Sequence, residues 1–179
     1  MVKNITVVNP TSRQIITVNI SIDPAMLTDN FYDELLMYMK THYEKKMSNY
    51  GYIKNIVNIT DDIKNNTIQI EDTTASINTT VNVLCDISSP IIGTYIYATV
   101  SNFDPNKIVM WGVAEELKVI IKMGDNVNDD LFSFNVVTKL LKHNIRNIDV
   151  DIGTNIIVRV DDINMQKNIF IIGYLYDLA

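Results

Sequence analysis

The sequence predicts an α+β protein, an antiparallel sheet with one packed helix followed by a second, mostly β half. Three observations predict it. A single strong helical stripe lies near the N-terminus, flanked by runs of β-branched residues. The second half shows short strand-like runs at regular spacing, which suits a barrel or a sandwich. A short Ser88-Ser89-Pro90 break separates the two patterns.

Ile5–Val8 and Ile15–Ile22 read as strands, with Asn9-Pro10-Thr11-Ser12 as turn material between them. Asp23-Pro24 ends the second run. Residues 29–47 read as the helix. Phe31, Leu35, Met39, Tyr43 and Met47 recur at every fourth position with Leu36 beside them, so a lone helix must bury that face. Asp29 or Asn30 suits the N-cap, and Lys40, Lys45 and Lys46 complement the dipole at the other end. Ser48-Asn49 and Gly51 stop it. Tyr52–Ile59, Thr67–Ile70 and Ser76–Ile87 complete the first sheet. In the second half the strand candidates are Ile92–Val100, Lys107–Trp111, Leu117–Lys122, Ile148–Ile152, Ile156–Val160 and Asn168–Leu175. Val136–His143 fits either a helix or a strand.

Composition narrows the function. The chain has 179 residues, 47% of them apolar and 20% charged, which suits a folded protein of one large or two small domains. The net charge is −6, and residues 1–89 and 90–179 each contribute −3. Neither half has the basic excess of an autonomous duplex-DNA binder. No apolar run is long enough to span a membrane, and the N-terminus lacks the apolar region of a secretory signal. The single cysteine, Cys85, has no internal disulfide partner, which suits a reducing compartment. Asn-x-Ser/Thr sequons at Asn4, Asn19, Asn58, Asn65 and Asn78 follow from an asparagine-rich composition rather than from secretion.

Catalytic chemistry is not legible. Two histidines, His42 and His143, and one cysteine are too few for a structural zinc site. There is no glycine-rich phosphate loop and no nucleophile elbow. The acidic pairs Asp61-Asp62, Glu115-Glu116, Asp129-Asp130 and Asp161-Asp162 fall in expected turns and strand ends, where solvated carboxylates are ordinary. The expectation is a protein that is not an enzyme and uses no cofactor or metal.

Several stretches, in order, carry a resemblance over residues 15–179. They are Val18-Asn-Ile-Ser-Ile-Asp-Pro24, the helix after it, Tyr50-Gly-Tyr-Ile53, Pro90-Ile-Ile-Gly-Thr-Tyr-Ile-Tyr-Ala-Thr-Val100, Asp130-Leu-Phe-Ser-Phe-Asn135 and the closing run Ile157–Leu178 with Ile172-Gly173. In this order the chain resembles the stalk subunits of multisubunit DNA-dependent RNA polymerases. That family comprises the seventh subunit of eukaryotic RNA polymerase II, its archaeal counterpart and a poxvirus relative. The resemblance implies a tip domain over 1–88, with 1–14 as an N-terminal extension, and an OB-fold barrel over 89–179. It implies a non-catalytic subunit that docks on the polymerase core near the clamp, with or without a second stalk subunit, and that contributes to initiation and guides nascent RNA. Gly51 and Tyr52 would shape the tip, and Glu71, Asp72 and Ala75 would dock. The family's Pro-x-Asp-Gly tip loop is replaced here by Ile70-Glu71-Asp72-Thr73, and Ile108 stands where an aromatic is common. An intracellular setting follows, in nucleus or cytoplasm, with a virion as the alternative if the source is viral.

The Tyr95–Thr99 run offers a surface for RNA. Alternation puts Thr94, Ile96, Ala98 and Val100 on one face, and Tyr95, Tyr97 and Thr99 on the other. Tyr95 and Tyr97 suit base stacking, and Lys107, Lys118 and Lys122 on neighbouring strands suit phosphates. With so few cations, binding by the isolated chain is expected to be weak and tolerant of sequence. The same aromatics suit packing: Tyr95 stands where the family often has valine, and Trp111 beside Gly112 suits the end of a barrel. Two other classes of function stay open, a free-standing OB-fold RNA-binding protein and a structural interaction protein without an RNA role.

Overall fold

The structure, a computed structural model, describes residues 5–60, 69–70, 77–104, 109–123, 127–135, 137–138, 140–164 and 170–179. The chain divides into two compact units. One is Thr11–Ser89; the other joins Pro90–Ala179 to the described part of Met1–Pro10.

In the first unit, β1 (Thr11–Ile22) runs antiparallel to β5 (Ile77–Ser88) in unbroken register, from Thr11 opposite Ser88 to Ile22 opposite Ile77. The far side of β5 pairs with β3 (Gly51–Ile59) and with β4 (Gln69–Ile70), and β2 (Lys46–Ser48) closes that end. Val81, Val83, Cys85 and Ile87 alternate along β5 and are fully buried. They meet Ile16, Ile20 and Ile22 of β1, and Leu35 and Met39 of helix α1 (Phe31–Tyr43), in one core. Ile53 and Ile56 are three apart on β3, yet both are buried. Register shifts between Ile53 and Asn55 and between Ile56 and Asn58 realign the strand so that they share a face.

Three expectations need correction in this unit. The helix ends at Tyr43, not at residue 47. Glu44 is extended, Lys45 takes a positive φ of 57°, and Lys46–Ser48 becomes β2. Met47 continues the period of four but sits opposite Tyr52 in a hairpin. The turn is held by Lys45 N–H on the Ile53 carbonyl at 2.8 Å and by the Ile56 N–H on the Glu44 carboxylate at 2.8 Å. Strand β1 starts at Thr11, inside the expected turn, because β5 extends to Ser88 and offers it partners. Finally, Ile5–Val8 is not a strand of this sheet. Val7 bridges Tyr95, and Val8 N–H donates to the Tyr95 carbonyl at 2.8 Å, so the described part of this segment groups with the second unit rather than with 15–88.

The second unit is a closed barrel of β6 (Tyr95–Asp104), β7 (Val109–Ala114), β8 (Leu117–Lys122), β12 (Asn155–Asn164) and β13 (Phe170–Leu178). Its strands meet in the order β6-β7-β8-β13-β12 and back to β6. Every pair is antiparallel except β8 with β13. Ile96, Ala98 and Val100 point inward with Met110, Val119, Ile121, Ile156, Val158, Val160, Ile171 and Leu175. Gly173 also faces in, and a Cβ there would collide with the Val158 side chain. Between β8 and β12 the chain forms a small antiparallel sheet in the order β11-β10-β9, from β9 (Phe132–Asn135), β10 (Leu140–His143) and β11 (Ile148–Val150). The ambiguous Val136–His143 run therefore ends as a strand.

Candidate nucleic-acid interface

The outer face of the β7–β8 ladder brings aromatic and cationic groups together. Directly opposed residues of an antiparallel pair face the same side. Val113 opposes Lys118, Trp111 opposes Ile120, and Val109 opposes Lys122. The burial pattern puts all six outside the barrel, with Met110, Gly112, Ala114, Val119 and Ile121 inside. Trp111, 37% exposed, thus has Lys118 and Lys122 as its two diagonal neighbours, within reach of long side chains. Both lysines are exposed, and neither is in an ion pair among the described residues. On the other side of β8, Phe170 opposes Lys118 and extends the patch.

Gly112 explains why the tryptophan points out. The position beside it faces inward, where a Cβ would meet the Thr99 carbonyl oxygen at 3.3 Å. A small residue is needed there, so the large neighbour takes the outer face. Trp111 does not plug the barrel.

The tyrosines separate. Tyr97, 61% exposed, stands out from β6 with exposed Thr99 beyond it, as alternation predicts. It borders an open groove of about 440 Å³ shared with Thr99, Val113, Glu115 and Asn155. Among the described residues its lining has a carboxylate and no lysine or arginine, a lining that does not favour phosphate. Tyr95 is half-buried. Its ring packs edge-on against Tyr176 with centroids 4.8 Å apart, and its backbone receives Val8. It is held in the barrel wall rather than offered to a base. Lys107 lies outside the described residues, as do Glu71, Asp72 and Ala75.

Beyond the ladder, Arg159 is engaged. Its guanidinium lies 4.8 Å over the Tyr174 ring, and its Nε donates to Asp161 at 2.8 Å. Asp161 holds the Arg159 proton more tightly than usual, chiefly through that hydrogen bond. Asp104 of β6 pairs with Val109 of β7, so a carboxylate borders the patch. Two lysines against such surroundings give a modest attraction for a single strand.

No protein-family model matches the chain, and no curated protein matches it either.

Of the residues expected to shape the first unit, Gly51 is buried with φ of 129°, and Tyr52 is half-buried between Met47 and Ser88. A Cβ on Gly51 would lie 2.8 Å from the Ser88 carbonyl oxygen. The Ser48 hydroxyl donates to the Gly51 carbonyl at 2.9 Å and closes the β2–β3 turn. Among the described residues, no three His, Cys, Asp or Glu side chains gather as a metal site would need.

Proposed function

We propose that the chain is a non-catalytic stalk subunit of a DNA-dependent RNA polymerase, its first unit docking on the core and its barrel contacting the emerging transcript. The observation that carries the reading is the path of the barrel. Three strands meander, the fifth lies parallel to the third, and the fourth closes back on the first. This supports an OB-fold, a five-stranded Greek-key barrel whose second and third strands commonly receive oligonucleotides. Here those strands are β7 and β8, which bear Trp111, Lys118 and Lys122. A sheet with one helix lies ahead of the barrel along the chain, which supports reading that unit as a tip domain.

The test is purification of the tagged chain from its native source, with mass spectrometry of what co-elutes. Large polymerase subunits in comparable amount are expected. Their absence from a folded preparation overturns the reading. Reversing charge at Glu71 and Asp72 is expected to weaken that co-elution, and unchanged recovery removes those two residues from the docking surface.

The β7–β8 face favours one second reading, a free-standing OB-fold RNA-binding protein. It differs in one outcome: RNA, and no polymerase subunit, would accompany the chain.

A further inference from the structure

Sheet edges expose a row of unpaired backbone donors and acceptors, and proteins usually blunt them with short strands, prolines, bulges or lysines. The two edges of the first sheet differ in this respect. At one end β2 is three residues long. At the other, β1 runs for 12 residues and, among the described residues, pairs with β5 alone, without a register shift. Among the described residues, no backbone hydrogen bond joins Ser12–Ser21 to anything but β5. The stretch Ser12-Arg-Gln-Ile-Ile-Thr-Val-Asn-Ile-Ser21 contains no proline and no glycine. Its one charge, Arg13, is already tied to Asp86 by a pair of hydrogen bonds at 2.8 and 3.2 Å. Ile15 is 60% exposed on the solvent side of this strand.

We infer that the β1 edge joins two copies of this chain, strand to antiparallel strand, into one continuous sheet. The edge is compatible with itself. A two-fold axis normal to the sheet at Thr17 sets Ser12 opposite Ile22, Arg13 opposite Ser21 and Ile15 opposite Asn19, with Thr17 opposite its own copy. No like charges meet in that register. The Thr17 hydroxyl already donates to Asn82 Oδ1 at 2.7 Å, so the opposed threonines contribute packing rather than a hydrogen bond to each other. On the core side, Ile16 faces Val18 of the other copy. Ile16 is buried and Val18 only partly so, and the new strand extends the apolar floor past Val18. The axis keeps both α1 helices on the same side of the joined sheet. Net charge opposes the association, since each copy carries −6, and salt therefore favours it. The inference does not depend on the polymerase reading.

Sedimentation velocity of the full chain over a concentration series is the test. A species of twice the monomer mass is expected, increasing with protein concentration and with salt. Thr17→Lys places two lysines across the axis, and Ile15→Lys puts a charge on the seam. Each is expected to return the chain to monomer with an unchanged circular dichroism spectrum. Hydrogen exchange on the unmodified chain gives a second readout, because amides of Ser12–Ser21 gain protection as the concentration rises. A monomer at every concentration overturns the inference. So does a dimer that both variants leave intact, or one whose β1 amides exchange as in the monomer.

Discussion

The ring of His143 is clamped by Asp177 across 34 residues of sequence, with Nε2 and Oδ1 3.0 Å apart. The backbone N–H of Arg146 donates to Nδ1 at 3.0 Å, so the proton sits on Nε2 and is donated to Asp177. Phe132 packs edge-on against the ring at 5.0 Å. His143 is buried, and this contact ties the small β9–β11 sheet to the last barrel strand.

Asp177→Leu leaves a buried N–H without an acceptor, which costs about 1–3 kcal/mol, whereas replacing both partners by apolar groups is nearly neutral. Urea unfolding is expected to show the full loss for Asp177→Leu. Adding His143→Phe is expected to recover part of it. Strict additivity of the two substitutions would count against a coupled pair.

Gly51→Ala is expected to destabilise the first unit by about 1–3 kcal/mol, through overpacking against the Ser88 carbonyl and a positive φ. Gly153→Ala serves as the control. Gly153 also has positive φ, 89°, but nothing lies within 4 Å of the added Cβ. The difference between the two melting curves isolates the steric part. Equal losses would mean that the close approach to Ser88 contributes nothing.

Burial raises the Cys85 thiol to about 11 from 9.0, with Asp86 and Glu44 adding smaller repulsions. The native state therefore holds its proton where the unfolded chain releases it. Stability from this group is complete below pH 9 and is lost as pH rises toward 11. Two units correspond to at most about 3 kcal/mol. Between those limits the native protein is expected to lose more stability than Cys85→Ala, which lacks the group. Parallel pH profiles for the two would refute the assignment. Below pH 9 the thiol is expected to resist alkylation until the protein unfolds.

Local patterns carried much of this fold, and pairing across long separations carried the rest. Alternation alone sorted Ile96, Ala98 and Val100 from Tyr97 and Thr99, because β6 is regular over that span. The apolar period of four misplaced the helix end. It ran through Met47, while the turn at Lys45 depends on Ile53 and Ile56, residues that arrive only with the next strand. The direction of Trp111 was hidden for a similar reason. It is set by the space Gly112 must leave for Thr99 on another strand. The role of His143 was invisible, since Asp177 lies far along the chain. For the candidate RNA face, Lys118 and Lys122 were legible as exposed cations on a strand. Their registration around Trp111 was not, because it belongs to the β7–β8 ladder.

That registration makes the RNA prediction specific. The chain has one tryptophan, so its fluorescence reports on this face alone. Adding a single-stranded RNA oligonucleotide is expected to quench it, with affinity weaker than micromolar at physiological salt. Stacking is worth about 1–3 kcal/mol per base, so Trp111→Ala, followed with labelled RNA, is expected to weaken binding by roughly 5- to 150-fold. If Lys118 and Lys122 each neutralise one phosphate, they contribute a slope of about −1.4 to log K against log salt. Reversing both lysines is expected to remove that slope and most of the binding. Tyr95→Phe keeps the ring packed on Tyr176 and is expected to leave RNA binding unchanged. Unquenched fluorescence at high RNA concentration, or a salt slope indifferent to both lysines, would remove RNA from this face and leave Trp111 as a contact for protein.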